Sequence, residues 1–291
     1  MVSIWGRPID VRHVLAMEQR EMLRYLAELP GPAWTLPAVG HWQVRDVVAH
    51  LVGDNLNRLS RSRDGQAGSG PAAGESLAIF IDRLNETWVQ ASARLSPAVL
   101  IELLHDSGQR VADYWAGVDL DELGEPVSWA SDLPAPGWLD LARDYTEYWV
   151  HQQQIREAAG GNLLLQPNMF APVIDTFARA LPHALAGLSE QFDGQLVRLV
   201  VDGAAGGSWT VRADDGVWRY LDGPDEGGAV LDAPIGGSGG VMTVVIDQDR
   251  FWRLCIRSLS PAVAALSVTG DAPAAVQQAI ARMTSIITTS S

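Results

Sequence analysis

The chain contains no lysine, so every basic side chain among its 291 residues is an arginine or a histidine. Without a lysine amine, Schiff-base chemistry and a lysine general base are excluded. The single cysteine, Cys255, rules out an intrachain disulfide and a cysteine-based zinc cluster, and it fits a reducing cytoplasm. Positive charge is scarce, with 21 Lys+Arg against 35 Asp+Glu and a formal net charge of −14. That balance argues against a nucleic-acid surface, which needs a basic stripe to release counterions. No uncharged apolar stretch reaches the ~18–20 residues that a membrane span requires. The N-terminus lacks the basic region and apolar run of a signal peptide. The expectation is a soluble cytoplasmic protein with neither nucleic-acid nor membrane partners, a monomer or a homodimer. Arginine-only usage with abundant alanine and glycine points to a high-GC genome, such as that of an actinobacterium.

Apolar side chain is plentiful: hydrophobic residues make up 47% and charged residues 19%, which supports a packed core and speaks against disorder. The length allows two domains. Apolar residues at helical spacing mark helices over about 10–29, 43–63, 75–95, 97–115 and 138–159. Ser96-Pro97 supplies a cap and a first-turn proline, and Gly160-Gly161 supplies a stop. Nothing before residue 160 reads as a strand, so the first half is expected to be a helical bundle. A further helix is expected from Pro167 to about Leu188. The pattern then changes to short β-branched or aromatic runs at 195–202, 207–213, 216–221 and 241–246, bounded by Gly/Asp clusters and joined by tight turns. Helices are expected over 247–258, 261–266 and 273–287. The fold class is therefore α plus α+β. Its boundary is set at 1–163 for the bundle and 164–291 for the small α+β domain, or near 190 if the sixth helix joins the bundle.

Two helical motifs carry the chemistry. In Asp144-Tyr-Thr-Glu147-Tyr-Trp-Val-His151, Glu147 and His151 stand one turn apart on one helix face. In Trp42-Gln-Val-Arg-Asp46-Val-Val-Ala-His50-Leu51, His50 lies within the apolar run of another helix. A buried glutamate needs a partner, and two histidines with one carboxylate leave a fourth position open, as catalytic zinc sites do. The bland alternative is a core histidine beside an exposed Glu/His pair. Asp54, four residues after His50, is either a fourth ligand, a general base or a solvated aspartate. His41 reads as loop surface, His13, His105 and His183 as structural, the tryptophans as core and cleft lining, and Cys255 as a small buried apolar residue.

Together the motifs resemble the DinB-like metalloproteins and, more narrowly, the mycothiol-dependent maleylpyruvate isomerase family. The first family motif is Trp-x-Val-x-Asp-Val-x-x-His-Leu, met here at Trp42–Leu51; the second is the Glu-x-x-x-His of Glu147 and His151. The resemblance extends to a C-terminal domain similar to sterol-carrier-protein folds, through Val268-Thr-Gly270-Asp271. It implies that His50, Glu147 and His151 hold a divalent metal, Zn2+ first among candidates, with mycothiol as thiol cosubstrate. It also implies an arginine of the last helix on the substrate, a position best matched by Arg282, although Ala281 stands where the family has glycine. Gln154 replaces an aspartate that relatives carry three residues after the histidine, which leaves the usual support of that ligand in question. The implied activity is isomerisation or S-transfer on a small electrophilic substrate, with Arg282 and Asp54 as catalytic candidates. The alternative is a non-catalytic metal or small-ligand binding module.

Overall fold

The computed structural model describes residues 4–66, 68–221 and 241–286. They form two compact units. One comprises Asp10–Glu122 and Leu141–Leu164; the other comprises residues 4–9, Leu123–Asp140 and Leu165–Ile286. The expected boundary at 163/164 falls beside Leu165, but segment 123–140 also groups with the C-terminal unit.

The first unit is helical: α1 (Arg12–Glu28), α2 (Val44–Arg58), α3 (Leu77–Ala91), α4 (Pro97–Gly117) and most of α5 (Gly137–Ala158). Helix α1 stops because Leu29, ahead of Pro30, is held extended at ψ 126°. Helix α2 opens with a reciprocal cap in which the Gln43 side chain and Asp46 each accept a backbone N–H of the other. Ser76 and Ser96 cap α3 and α4 through their hydroxyls. At the end of α5, Gly160 takes φ +68° and Gly161 N–H returns to the Arg156 carbonyl at 2.7 Å. Left-handed backbone of this kind closes helices at little cost only for glycine.

The core of this unit is formed by Leu15 and Met22 of α1, Val47, Val48 and Leu51 of α2, Leu100 of α4, and Tyr145 and Trp149 of α5. Helix α3 contributes little, burying only Phe80 and Val89. One buried acid, Glu18, has no hydrogen-bond partner among the described residues. Burial pushes its pKa up to about 8, against the opposing pull of Arg156. Contrary to the all-helix expectation, a hairpin of β1 (Pro37–Val39) and β2 (Trp42–Gln43) precedes α2. These strands are too short to show an alternating pattern.

The second unit contains a hairpin of β3 (Leu123–Pro126) and β4 (Pro134–Pro136), then α6 (Pro167–Ala178) and α7 (Leu181–Leu185). The single helix expected over 167–188 breaks after Ala178. Pro182 lacks an N–H, and its ring would clash with the carbonyl four residues back, that of Ala178. A five-stranded sheet follows in the order β7-β6-β5-β8-β9: β5 (Leu196–Asp202), β6 (Gly207–Asp214), β7 (Val217–Tyr220), β8 (Val241–Asp247) and β9 (Thr269–Gly270). Strands β5 to β7 form an antiparallel meander, β8 runs parallel to β5, and β9 pairs antiparallel with β8. The β6–β7 turn is Asp215-Gly216, with φ +51° and +77°, the two-residue turn whose twist suits a hairpin.

Helices α8 (Gln248–Cys255), α9 (Pro261–Ser267) and α10 (Ala274–Ala281) complete the second unit. The last helix stops before the expected end near 287. Ser285 leaves it to donate its N–H to the Cys255 carbonyl and its hydroxyl to the Phe177 carbonyl. Residue 287 itself lies outside the described residues. Among the described residues no helix is long and apolar enough to cross a membrane.

Candidate metal centre

Helix periodicity places the site. On α5, residues 144, 147, 151 and 154 fall on one face, and on α2 residues 50, 54 and 58 do the same. The two faces meet. Glu147 Oε1 lies 3.1 Å from His50 Nε2 and 3.0 Å from His151 Nε2. The two imidazole centroids are 4.8 Å apart and their planes nearly perpendicular, at 82°. Both histidines are buried, while the Glu147 side chain keeps 37% of its surface exposed, so the cluster has a solvent-facing side.

The site is braced on three sides. Trp42 lies against His50 at 5.2 Å between centroids, and its indole N–H donates to Glu86 at 2.9 Å. The Trp88 N–H donates to the Ala49 carbonyl at 2.6 Å, which fixes α2 beside α3. One turn from the donor atoms, Arg58 grips Asp144 through Nε and Nη2 at 2.9 and 2.5 Å, and the Trp115 N–H donates to the same carboxylate at 2.9 Å. This bidentate pair ties α2 to α5 and fixes their register. Sequence reasoning did not assign Arg58 or Asp144 a role. The signal was available, since Arg58 stands four residues after Asp54 and Asp144 three before Glu147.

Asp54 Oδ2 is 3.3 Å from His50 Nε2, so the structure brings this candidate into the cluster. Arg282 belongs to the other unit, where it is an exposed residue at the C-terminal end of α10. His41 is exposed and meets Glu86 at 3.0 Å. His13, His105 and His183 are also exposed. Cys255 is buried, and burial pushes its thiol pKa well up, so it is a poor nucleophile.

Electrostatics show what the site prefers. Burial pushes the His50 imidazole down, but Asp54 and Glu147 outweigh it and hold the group up at about 9. Burial raises Asp54 to about 6, with His50 opposing. Burial likewise acts to raise Glu147, yet its bonds to His151 and His50 hold it well below the usual carboxylate range. The cluster therefore favours positive charge at its centre.

The donor set fits a divalent cation. His151 Nδ1 lies 2.7 Å from Gln154 Oε1, an acceptor, so Nδ1 carries a proton. His151 Nε2 faces Glu147 Oε1 at 3.0 Å, a contact that either a proton on Nε2 or a metal cation satisfies. The donor atoms of His50, Glu147 and His151 all lie within 4.8 Å of one another. A tetrahedral zinc site with bonds of 2.0–2.2 Å spaces its ligands about 3.3 Å apart, close to the two shorter separations here. Gln154, which stands where the family carries an aspartate, places its amide oxygen against the His151 ring as an acceptor.

These features define a helical domain with a two-histidine, one-carboxylate centre, accompanied by a mixed α/β region. Residues 15–156 match the family model described as the mycothiol maleylpyruvate isomerase N-terminal domain. Residues 15–156 are therefore an N-terminal domain of the mycothiol maleylpyruvate isomerase family. Two solved structures of mycothiol-dependent maleylpyruvate isomerase, one of them a mutant, are similar at 13% identity, with TM-scores of 0.50 and 0.49. In both cases the match covers 87% of this chain and 91% of theirs. At this identity the likeness shows the fold. A third structure, the colibactin self-resistance protein ClbS in complex with a dsDNA, matches at 15% identity over 51% of this chain and 92% of its own, with a TM-score of 0.41. No curated protein matches the chain.

Proposed function

We propose that the protein is a divalent-metal-dependent enzyme that uses a low-molecular-weight thiol, mycothiol by family, for isomerisation or S-transfer on a small electrophilic substrate. One observation carries this reading: three candidate ligand atoms, from His50, Glu147 and His151, lie within 4.8 Å of one another. Zn2+ is the first candidate for that position, and when bound it favours the thiolate form of a coordinating thiol. His50 and His151 would hold the ion as neutral imidazoles, and Glu147 would supply the charge that fixes it. Asp54, 3.3 Å from His50 Nε2 and partly solvent-exposed, is the carboxylate that accepts the proton released by the thiol. Its raised pKa suits it to take and return a proton near neutrality. Trp42 walls the site on the His50 side and limits water there. Arg282, a cation of the C-terminal unit, is assigned to a substrate carboxylate on the strength of the family resemblance.

The test has two stages. Metal content is measured after zinc reconstitution and removal of loose ions, on the wild type and on His50→Ala and His151→Ala. One ion retained by the wild type and lost in both variants is the expected result. Depletion of an electrophile is then followed with metal and thiol present together or singly. Turnover only with both supports the enzyme. Saturable binding without turnover under any thiol would leave a binding module instead.

A further inference from the structure

The β5–β8 sheet has two unlike faces. Val197, Leu199, Val211, Trp218 and Val244 point to one side and are buried against the unit's helices. The alternate positions form the opposite, half-buried face, and three arginines stand there: Arg198 on β5, Arg212 on β6 and Arg219 on β7.

Strand register puts them close together. Arg212 is directly opposite Arg219, which places the two backbones roughly 5 Å apart. Arg198 is opposite Thr210, hence diagonal to Arg212 at roughly 7–8 Å. Thr210 and Thr243 flank Arg198 on its two neighbouring strands, and Arg198 Nε approaches Thr210 Oγ1 at 3.4 Å.

Carboxylates outnumber Lys+Arg by 35 to 21, and several arginines meet one, as in Arg58–Asp144, Arg83–Glu75 and Arg179–Asp175. Among the described residues neither Arg198 nor Arg219 has a carboxylate partner. Arg212 has one long contact, to Asp214 at 3.4 Å, on a side chain that is 39% exposed. Like charges directly opposite each other weaken a strand pair. Sheet stability therefore gives no reason for Arg212 to face Arg219, and an anion seated between them does.

The geometry points to a binding site on this sheet face for a small molecule bearing two anionic groups, held by Arg198, Arg212 and Arg219 with Thr210 and Thr243 as neutral donors. Guanidinium forks recognise carboxylate and phosphate oxygens in the same bidentate manner, so the shared chemistry is a compact dianion. A nucleic acid is disfavoured, because three arginines in a chain of net charge −14 make a local and not an extended positive surface. The inference does not depend on the metal centre.

The test is calorimetric titration of the full-length chain with succinate and, separately, with pyrophosphate, at low ionic strength. Saturable one-site binding of either is expected, and the two arms tell a dicarboxylate site from a phosphate site. Arg198→Gln and Arg219→Gln should each weaken binding about tenfold or more, whereas Arg110→Gln on α4 should leave it unchanged. Arg219→Gln should not lower Tm, because it relieves a like-charge pair, so lost binding in that variant cannot be laid to misfolding. Absence of saturable binding of both probes, or binding that survives both sheet substitutions, would overturn the proposal.

Discussion

Replacing Gln154 with leucine removes one hydrogen bond and tests how the candidate centre is built. In the wild type, Gln154 Oε1 accepts from His151 Nδ1 at 2.7 Å, which fixes the proton on that nitrogen and leaves Nε2 free to ligate. Leucine is of similar size but accepts nothing, so the imidazole loses its tautomer preference and its rotational restraint. Loss of such an orienting partner costs about 10–100-fold in metal affinity, or about 1.4–2.7 kcal/mol. Part of the effect should be recovered by Gln154→Glu, which restores an acceptor at similar reach, while Gln154→Leu alone should bind zinc more weakly at unchanged stoichiometry. The assay is competition for zinc against a chromophoric chelator at fixed pH, with Tm as the folding control. If Gln154→Leu binds zinc as tightly as the wild type while its Tm is unchanged, the hydrogen bond does not prepare His151 for ligation and the fit argument loses its main support.

Other outcomes follow from the same physical terms. Glu18 is buried with its pKa raised from 4.5 to about 8, so the folded state binds its proton more tightly than the unfolded state does. Its contribution is intact below the unfolded pKa and is lost as pH rises through the folded one, by roughly 3–4 kcal/mol between pH 5 and 8.5. Denaturant unfolding of Glu18→Gln should therefore gain on the wild type across that window; a pH-independent difference would refute it. Arg58→Met leaves Asp144 in a largely buried position with, among the described residues, only the Trp115 N–H, and unfolding measurements should show a loss of about 3 kcal/mol. Arg282→Ala should raise KM for a carboxylate-bearing substrate with little change in metal content, and an unchanged KM would remove Arg282 from the site.

Much of the bundle was legible because its helices are long and their apolar positions recur at helical spacing. The same periodicity put Glu147 and His151 on one face of α5 and His50 and Asp54 on one face of α2, leaving only the meeting of the two faces to the tertiary fold. What was not legible has particular causes. The β1–β2 and β3–β4 hairpins use strands of two to four residues, several of them proline, and carry no alternation. The break between α6 and α7 is written in Pro182, but the apolar pattern runs across it and masks the stop. The early end of α10 depends on Ser285 finding carbonyls of Cys255 and Phe177, contacts about 30 and 108 residues away in sequence that no local signal announces.

Gln154 shows why a motif departure has to be read chemically. A ligating histidine needs an acceptor at Nδ1, and the charge of that acceptor is secondary to its position. An amide oxygen one helical turn beyond His151 meets the positional requirement at 2.7 Å. It adds no negative charge to a cluster in which Asp54 and Glu147 already hold the His50 pKa up to about 9. An aspartate at 154 would bring a third carboxylate against two imidazoles and strengthen the hold of protons that compete with a metal. The neutral partner therefore suits this site, in which Asp54 is close enough to supply the further charge.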